Sequence, residues 1–387
     1  MTPKASTLES IDRDSRNMRI VQMTSVHFWR DPRVFLKTSA TVAAAGHEVH
    51  LVVPREEVGV VEIDGVVVHG LPLPKNRRDR MFGTVDRVLD VAADIRGDIY
   101  QFHDPEILLR APGFQDRVGA PVVFDSHEDY RLQMQYKIWV PAWGRRPLGR
   151  AVGMIEDRVV NRLAGVVAAT PSIAERFTDH PACVVVQNFP ILEELMVPGD
   201  ETGEREVGRF GYVGGLSIVR GAEQMIDALT HAGPDVRLDL GGPWTPQALR
   251  QTCQSKPGWA QVDELGYMTR DQIAAMFRRV FAGLSLLHPV HSYLTAYSVK
   301  MFEYMAGGLP FVASDFPMWR GIVDEAECGL LADPLDPVAI GRAMRQLTDD
   351  PEAARRMGAN GRRAVETKYN WGNELKKLLA FYDRLAG

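Results

Sequence analysis

Three stretches of the chain carry residue types whose spacing suits chemistry on a phosphorylated ligand. In Phe210-Gly211-Tyr212-Val213-Gly214-Gly215-Leu216, followed by Arg220-Gly221, an apolar run breaks into glycines. Glycines let a backbone approach a phosphate, and a helix start just beyond offers free N–H groups. Arg220 is placed to grip a phosphate oxygen pair in bidentate fashion. The spacing is not G-x-G-x-x-G, so it gives no support to a nicotinamide cofactor. A tight turn with a surface arginine fits this stretch equally well.

The second stretch is 293–315, where Lys300 stands at the start of a helical pattern and Glu303 lies on the same face three residues on. A lysine beside first-turn amides suits a pyrophosphate. Glu303 cannot help bind phosphate, but it can accept hydrogen bonds from a ribose diol. A plain Lys300–Glu303 surface pair is the alternative. The third stretch is a set of polar clusters behind apolar runs: His27, Asp31 and Arg33; His103, Asp104 and Glu106; Asp125, His127 and Glu128. A lone histidine is usually structural. Three runs ending in histidine clusters point to a shared site.

The elements that must position these residues follow from the apolar pattern. Short, β-branched, non-alternating runs at 19–23, 49–53, 99–102, 122–124, 166–169 and 184–186 suit strands buried on both faces of a parallel sheet. Helical patterns lie between them, including 31–45, with Pro32 in its first turn and Gly46 past its end, and 145–163. Asp64-Gly65 between apolar residues predicts a hairpin. The second half repeats the theme, with strands at 210–213, 236–240, 261–265, 283–287, 311–313 and 329–331. Its helices fall at 222–229, 245–254, 271–278, 299–306, 317–324 and 338–347. Strands alternating with helices make βαβ units, so the expected fold class is α/β: two doubly wound Rossmann-like domains facing a central cleft. Ligands in such sheets bind beyond the carboxyl ends of the strands, where all three chemical stretches lie.

Composition agrees. At 387 residues, 45% apolar and 25% charged, the chain is ordinary globular material with room for two cores. The net charge of −5 divides into −2 up to residue 196 and −3 beyond it, which argues against a nucleic-acid binder using a basic field. Three separated cysteines, Cys183, Cys253 and Cys328, make neither a disulfide framework nor a zinc ribbon. The polar start of the chain lacks the apolar run of a signal peptide, and no stretch reaches the ~18 apolar residues of a membrane span. The expected localisation is cytoplasmic, with peripheral contact at the inner face of the membrane left open.

The segment Tyr297-Ser298-Val299-Lys300-Met301-Phe302-Glu303-Tyr304-Met305-Ala306-Gly307-Gly308-Leu309-Pro310 resembles the donor-site signature of glycosyltransferase family 4, retaining enzymes of the GT-B fold. The resemblance spans nearly the whole chain beyond residue 18. Gly211 to Gly221 resembles the first phosphate loop of that family, Gly241-Gly242-Pro243 its next glycine loop, and Leu265-Gly266-Tyr267-Met268 the segment facing the nucleotide base. By that resemblance Glu303 binds the ribose hydroxyls. The amides near Tyr297 and Ser298, with Lys300 and Arg220, hold the diphosphate. His127 contacts the donor sugar near the reacting carbon. Gly214, Gly215, Gly242, Tyr267, Met268, Thr295, Ala296, Tyr297 and Ser298 line the donor site. His27, Asp31, Arg33, His103, Asp104, Glu106, Asp125 and Glu128 fall on the acceptor side. Two positions depart from the pattern: Thr295 stands where many members carry a sugar-contacting glutamate, and Gly214-Gly215 replaces the usual Gly-Arg, leaving Arg220 as the main cation.

The implied function is transfer of a sugar from a nucleotide-diphosphate sugar, UDP-linked by expectation, to an acceptor hydroxyl in glycan, lipid-linked saccharide or glycoconjugate biosynthesis. The implied enzyme is of the hexosyltransferase type. A nucleotide-sugar 2-epimerase of the same fold and a non-catalytic nucleotide-sugar-binding subunit remain alternatives. No cofactor is expected, and no metal, because helix ends and cations can neutralise the leaving group. The clusters at His103 and His127 lack zinc-ligand spacing. Expected partners are the nucleotide sugar and a saccharide, lipid-linked or small-molecule acceptor, with no nucleic acid. The basic run 75–80 and the Trp/Arg mixture at 139–150 suit either an anionic membrane surface or a solvated loop. The expected division is 1–17 as a disordered tail, 18–190 as the N-terminal acceptor-side domain and 191–206 as a linker. Residues 207–368 form the C-terminal donor domain, and 369–387 a helix crossing back to the N-terminal domain.

Overall fold

The computed structural model describes residues 17–127, 149, 153–192, 205–294 and 296–387. The expected tail, most of the linker, Glu128, Thr295 and the Trp/Arg stretch up to 148 lie outside the described residues. The chain divides into two compact units, Met1–Asn188 with Trp371–Gly387, and Phe189–Asn370. Both are parallel-sheet α/β domains.

The first unit holds β1 (Arg19–Met23), β2 (Glu48–Pro54), β3 (Gly59–Ile63), β4 (Val66–Leu71), β5 (Ile99–Phe102), β6 (Val122–Ser126), β7 (Gly165–Ala168) and β8 (Cys183–Val185). They form one sheet in the order β3-β4-β2-β1-β5-β6-β7-β8. Every pairing is parallel except β3 with β4, the hairpin that Asp64 and Gly65 make possible with φ of 51° and 77°. The central strands β5, β6 and β7 are buried at every residue, which is why their sequences do not alternate. The order reverses between β1 and β5. Crevices for ligands form at such switch points, so the loops after those two strands are the ones to inspect.

The second unit holds β9 (Glu206–Val213), β10 (Arg237–Gly241), β11 (Val262–Gly266), β12 (Val280–Ser285), β13 (Phe311–Ser314) and β14 (Gly329–Ala332), all parallel, in the order β11-β10-β9-β12-β13-β14. Its switch point lies between β9 and β12. Phe189 stacks edge-on against Phe302 at 4.8 Å and Tyr369 at 5.4 Å, which fastens the start of this unit to its core.

The helical reading of 31–45 needs correction. Pro32–Thr41 winds as a π-helix, and only Val42–Ala44 is α-helical. Asp31 caps the start by accepting from the amides of Arg33 and Val34. Within the turns the hydroxyls of Thr38 and Ser39 bond to the carbonyl of Val34 at 2.9 and 2.6 Å, and Thr41 bonds to that of Lys37. Hydroxyls competing for the ladder carbonyls explain the wider winding. The helix expected over 222–229 spans Ala222–Ala232, and Gly221 at φ +69° separates it from a 3₁₀ turn over Ile218–Arg220. A side chain at Gly221 would collide with the Leu286 carbonyl. The helix Pro351–Thr367 was absent from the pattern reading. Its Gly358 and Gly361 are the reason: each packs against a neighbouring chain segment and blurs the apolar stripe.

The final helix, Trp371–Ala386, belongs to the first unit. Trp371 donates its indole N–H to Thr41 at 2.8 Å, and Glu374 accepts from the Gln187 amide at 2.7 Å. Leu375, Leu378, Phe381 and Tyr382 are buried. No helix among the described residues is long and apolar enough to cross a membrane.

Candidate active-site clusters

In the second unit the glycine loops after β9 and β10 lock together through their backbones. Gly214 donates to the Gly241 carbonyl at 3.0 Å, Leu216 to Pro243 at 2.8 Å, and Gly242 to Gly266 at 2.7 Å. At Gly242, φ +133°, an added Cβ would sit 1.9 Å from the Gly214 carbonyl oxygen. Glycine is therefore required there by contact as well as by conformation.

Two cations converge on this cradle. A Cβ at Gly214 would lie 3.0 Å from Lys300 Nζ and 3.6 Å from Arg220 Nη1, and one at Gly215 would lie 3.4 Å from Arg220 Nη1. Lys300 also stands over the Tyr212 ring at 5.1 Å. Burial first, and then Arg220, pull the Lys300 ammonium down to about 8, with Glu303 acting in the opposite sense. Burial also works against the Arg220 charge, but Tyr293 and Tyr212 prevail and hold it above its usual value. Lys300 opens the helix Val299–Ala306, whose first turn is uncapped by Ser298. The Ser298 hydroxyl meets Ser285 Oγ at 2.8 Å instead. The arrangement joins two cations and a helix N-terminus with a glycine backbone, a set suited to an anion with more than one charged oxygen.

The other residues expected on the donor side lie on neighbouring loops and a helix of this unit. Ala296 gives its carbonyl to the Trp319 indole N–H at 2.8 Å, which fixes the loop before Lys300. Tyr297 packs on Phe302 at 5.9 Å and so serves the core. Glu303 lies one turn beyond Lys300 on the same helix. Tyr267, 82% exposed, projects from the loop after β11, and Met268 packs back toward Gly241.

In the first unit the loops after β1, β5 and β6 bring all three histidine clusters together. His27 and His127 have ring centroids 5.3 Å apart, as do His103 and His127. Asp104 fastens the loop after β1, accepting from Thr24 Oγ1 at 2.8 Å and from the Ser25 amide at 2.5 Å. Its second oxygen lies 3.3 Å from His27 Nε2, and Asp31 lies 3.7 Å from Nδ1. Burial opposes the His27 charge, but Asp31 and Asp104 prevail and raise its pKa. Glu106 does not join this group: it pairs with Arg80 at 3.1 Å.

Asp125 is the centre. It is fully buried and receives Arg33 through Nη2 at 2.8 Å and Nε at 3.3 Å. Gln101 donates to it at 3.1 Å, and the nearest nitrogens of His103 and His127 stand at 3.2 and 3.4 Å. Burial works against its charge, but Arg33 and the two imidazoles hold the carboxyl well below its usual range. Burial also pushes the His127 imidazole down, against the pull of Asp125, so it is neutral at neutral pH. The ligating atoms of His103, Asp125 and His127 lie within 4.8 Å of one another, a spacing that suits a metal ion as well as a shared proton. Arg33 and Gln101 already neutralise Asp125 and donate to it, so the carboxylate is satisfied by hydrogen bonds alone.

Sequence reasoning missed Gln22, Gln101 and Tyr382, which lie buried beneath this cluster. A signal existed: each glutamine is the one amide in an otherwise apolar strand, RIVQM and IYQF. A buried amide needs partners, and the obvious candidates are the polar clusters one strand away. The basic run 75–80 sits in a short turn, where Asn76 caps and Asp79 pairs with Arg87 at 3.2 Å. Phe28, Phe82 and Leu109 are exposed elsewhere in this unit.

Comparison with known proteins adds to this. The family model described as "Glycosyl transferases group 1" matches residues 203–364, and that described as "Glycosyl transferase 4-like domain" matches residues 33–187. A curated relative, the MMP alpha-(1->4)-mannosyltransferase of Mycolicibacterium hassiacum, is 23% identical over 310 residues, 77% of this chain and 74% of the relative. Among solved structures, sucrose-phosphate synthase from Thermosynechococcus elongatus superposes with a TM-score of 0.73 at 19% identity, covering 96% of this chain and 99% of the other. Anabaena HepE, solved in complex with UDP-glucose, gives a TM-score of 0.70 at 13% identity over 94% of this chain and 98% of its own.

Proposed function

The chain belongs to the family 4-like glycosyltransferases of the GT-B type, and on that premise we propose that it moves a sugar from a UDP-linked donor to an acceptor hydroxyl with retention at the anomeric carbon. One observation carries the donor reading: Arg220 and Lys300 converge on the Gly214–Gly215 backbone, and Arg220 together with burial costs Lys300 part of its basicity. Two like charges held together are relieved by an anion between them, and a diphosphate supplies it. The HepE complex with UDP-glucose supports uridine as the base, by likeness of fold.

In this reading Arg220, Lys300 and the first-turn amides after Ser298 hold the diphosphate, and Glu303 accepts from the ribose hydroxyls. Tyr267 and Met268 lie toward the base. As the bond between the anomeric carbon and the diphosphate oxygen lengthens, negative charge grows on that oxygen. Donors already aimed at it stabilise the transition state more than the ground state. The acceptor oxygen then bonds to the anomeric carbon on the face the diphosphate leaves, and its proton passes to the departing diphosphate. His127 contacts the donor sugar near the reacting carbon, and Arg33, Asp31 and His27 serve the acceptor side. No metal is required, since the protein cations supply the charge. The acceptor is a hydroxyl-bearing saccharide, free or lipid-linked.

The test is transfer from a panel of UDP-sugars to a panel of saccharide acceptors, followed by product stereochemistry. Transfer is expected with retained anomeric configuration, and it should fall at least about 100-fold in Glu303→Ala and Arg220→Ala. Normal transfer by both variants would remove the donor-site assignment, and an inverted product would remove the retaining one.

A further inference from the structure

Beneath the histidines of the first unit lies a closed ring of buried hydrogen bonds that reaches the last helix of the chain. Gln22 Nε2 donates to the Thr38 carbonyl at 3.2 Å. A carbonyl can only accept, so the orientation of the Gln22 amide is set, and its Oε1 must face His103 Nε2 at 2.9 Å. His103 therefore carries a proton on Nε2. Its other nitrogen, Nδ1, is the atom that meets Asp125 at 3.2 Å and His127 at 3.2 Å.

The ring closes through Tyr382. Its hydroxyl accepts from Gln22 Nε2 at 3.2 Å, so its single proton goes to Gln101 Oε1 at 2.6 Å. That turns Gln101 Nε2 toward Asp125, where it donates at 3.1 Å. Gln22, Gln101, His103, Asp125 and Tyr382 are each no more than 1% exposed. No solvent is at hand to replace a missing partner, and the direction of each bond dictates the next.

We propose that Tyr382, on the C-terminal helix, is a positioning residue for glycosyl transfer: its hydroxyl holds Gln22 and Gln101, which fix the protonation and placement of His103 and Asp125, and through them His127. This rests on the reading that His127 acts on the donor sugar. The nearest residue that touches substrate in that reading is His127; Tyr382 touches none. The chain thus spends its last helix on the chemistry of the first unit, some 280 residues after Gln101.

The experiment uses the full chain with Tyr382→Phe, which removes one oxygen and keeps the ring. With the donor held in the second unit, kcat should fall about 10- to 100-fold while KM for the donor stays within about twofold. Nitrogen-15 spectra of labelled histidines should show His103 Nε2 fully protonated in the parent protein and only partly protonated in the variant. A second variant, Tyr382→Phe with Gln101→Met, also removes the acceptor that the first leaves buried without a partner. It should fold at least as well as the single variant and stay as slow. An unchanged kcat with an unchanged His103 spectrum in Tyr382→Phe would overturn the proposal, and so would full activity in the double variant. The spectra need no substrate. If the parent protein transfers no sugar, the functional reading fails while the spectra still judge the ring.

Discussion

The two clusters solve opposite electrostatic problems. In the first unit the charge of Asp125 is met on every side, by Arg33, Gln101 and two imidazoles, and among the described residues only Arg33 Nη1 in this group is left without a partner. In the second unit Arg220 and Lys300 repel one another across a glycine loop, and that loop is formed to admit something else. A completed cluster stabilises the fold that holds it. A cluster of like charges costs stability until its ligand arrives, which is the usual signature of a binding site. The lesson is that a perturbed group must be read with its neighbours: burial acts on both clusters, but at Asp125 the neighbours outweigh it, whereas at Lys300 the neighbouring Arg220 adds to it.

The sharpest way to break this contrast is to remove the centre of the completed cluster. Asp125→Ala leaves the buried Arg33 guanidinium without its carboxylate, and losing one partner of such a pair costs about 3–5 kcal/mol. Denaturant unfolding should report a loss of that size, and hydrogen exchange should locate it in the first unit. A loss below about 1 kcal/mol would mean that Arg33 finds another partner and that the cluster is not the anchor described.

The matching change in the second unit should leave stability intact and remove binding. Arg220→Ala is expected to weaken UDP about 100-fold, since a charged contact to a phosphate is lost. Its unfolding midpoint should stay near that of the parent. A variant that unfolds early and binds normally would reverse the roles of the two clusters.

The smallest effect refines the comparison. Lys300 has a pKa of about 8 in the folded chain, below its ordinary 10.5. The folded state therefore binds fewer protons than the unfolded chain between those values, and this group adds stability as pH rises through that window. Lys300→Met should raise the stability of the unliganded protein at neutral pH, by up to about 3 kcal/mol, and abolish that rise. A destabilised Lys300→Met would show that the ammonium is part of a completed network after all.

The difference between the clusters also explains what could be read from the sequence. The glycine and lysine stretches were legible because their parts are contiguous: Gly211 to Gly221 runs from the end of β9 to a helix start, and Tyr297 to Pro310 holds one helix and the turn into β13. Their glycines record backbone contacts, such as that of Gly242 with the Gly214 carbonyl. The three histidines were legible because each follows an apolar run. Their mutual arrangement was not, since Gln22, Gln101, Asp125 and Tyr382 are up to 360 positions apart and join only through strand order and a returning helix. The 31–45 helix misled for a local reason, its hydroxyl-rich turns, and Glu106 for another, its ion pair with Arg80.

The central claim is that Arg220 and Lys300 form a diphosphate cradle, and calorimetric titration with UDP at a pH of about 9 addresses it directly. Run in two buffers of different ionisation enthalpy, the titration counts protons. The parent protein should bind UDP at one site and take up about one proton, as the anion restores the charge of Lys300, while Lys300→Met should bind more weakly and take up none. Binding of UDP without proton uptake, or an equal affinity and uptake in Lys300→Met, would contradict the account.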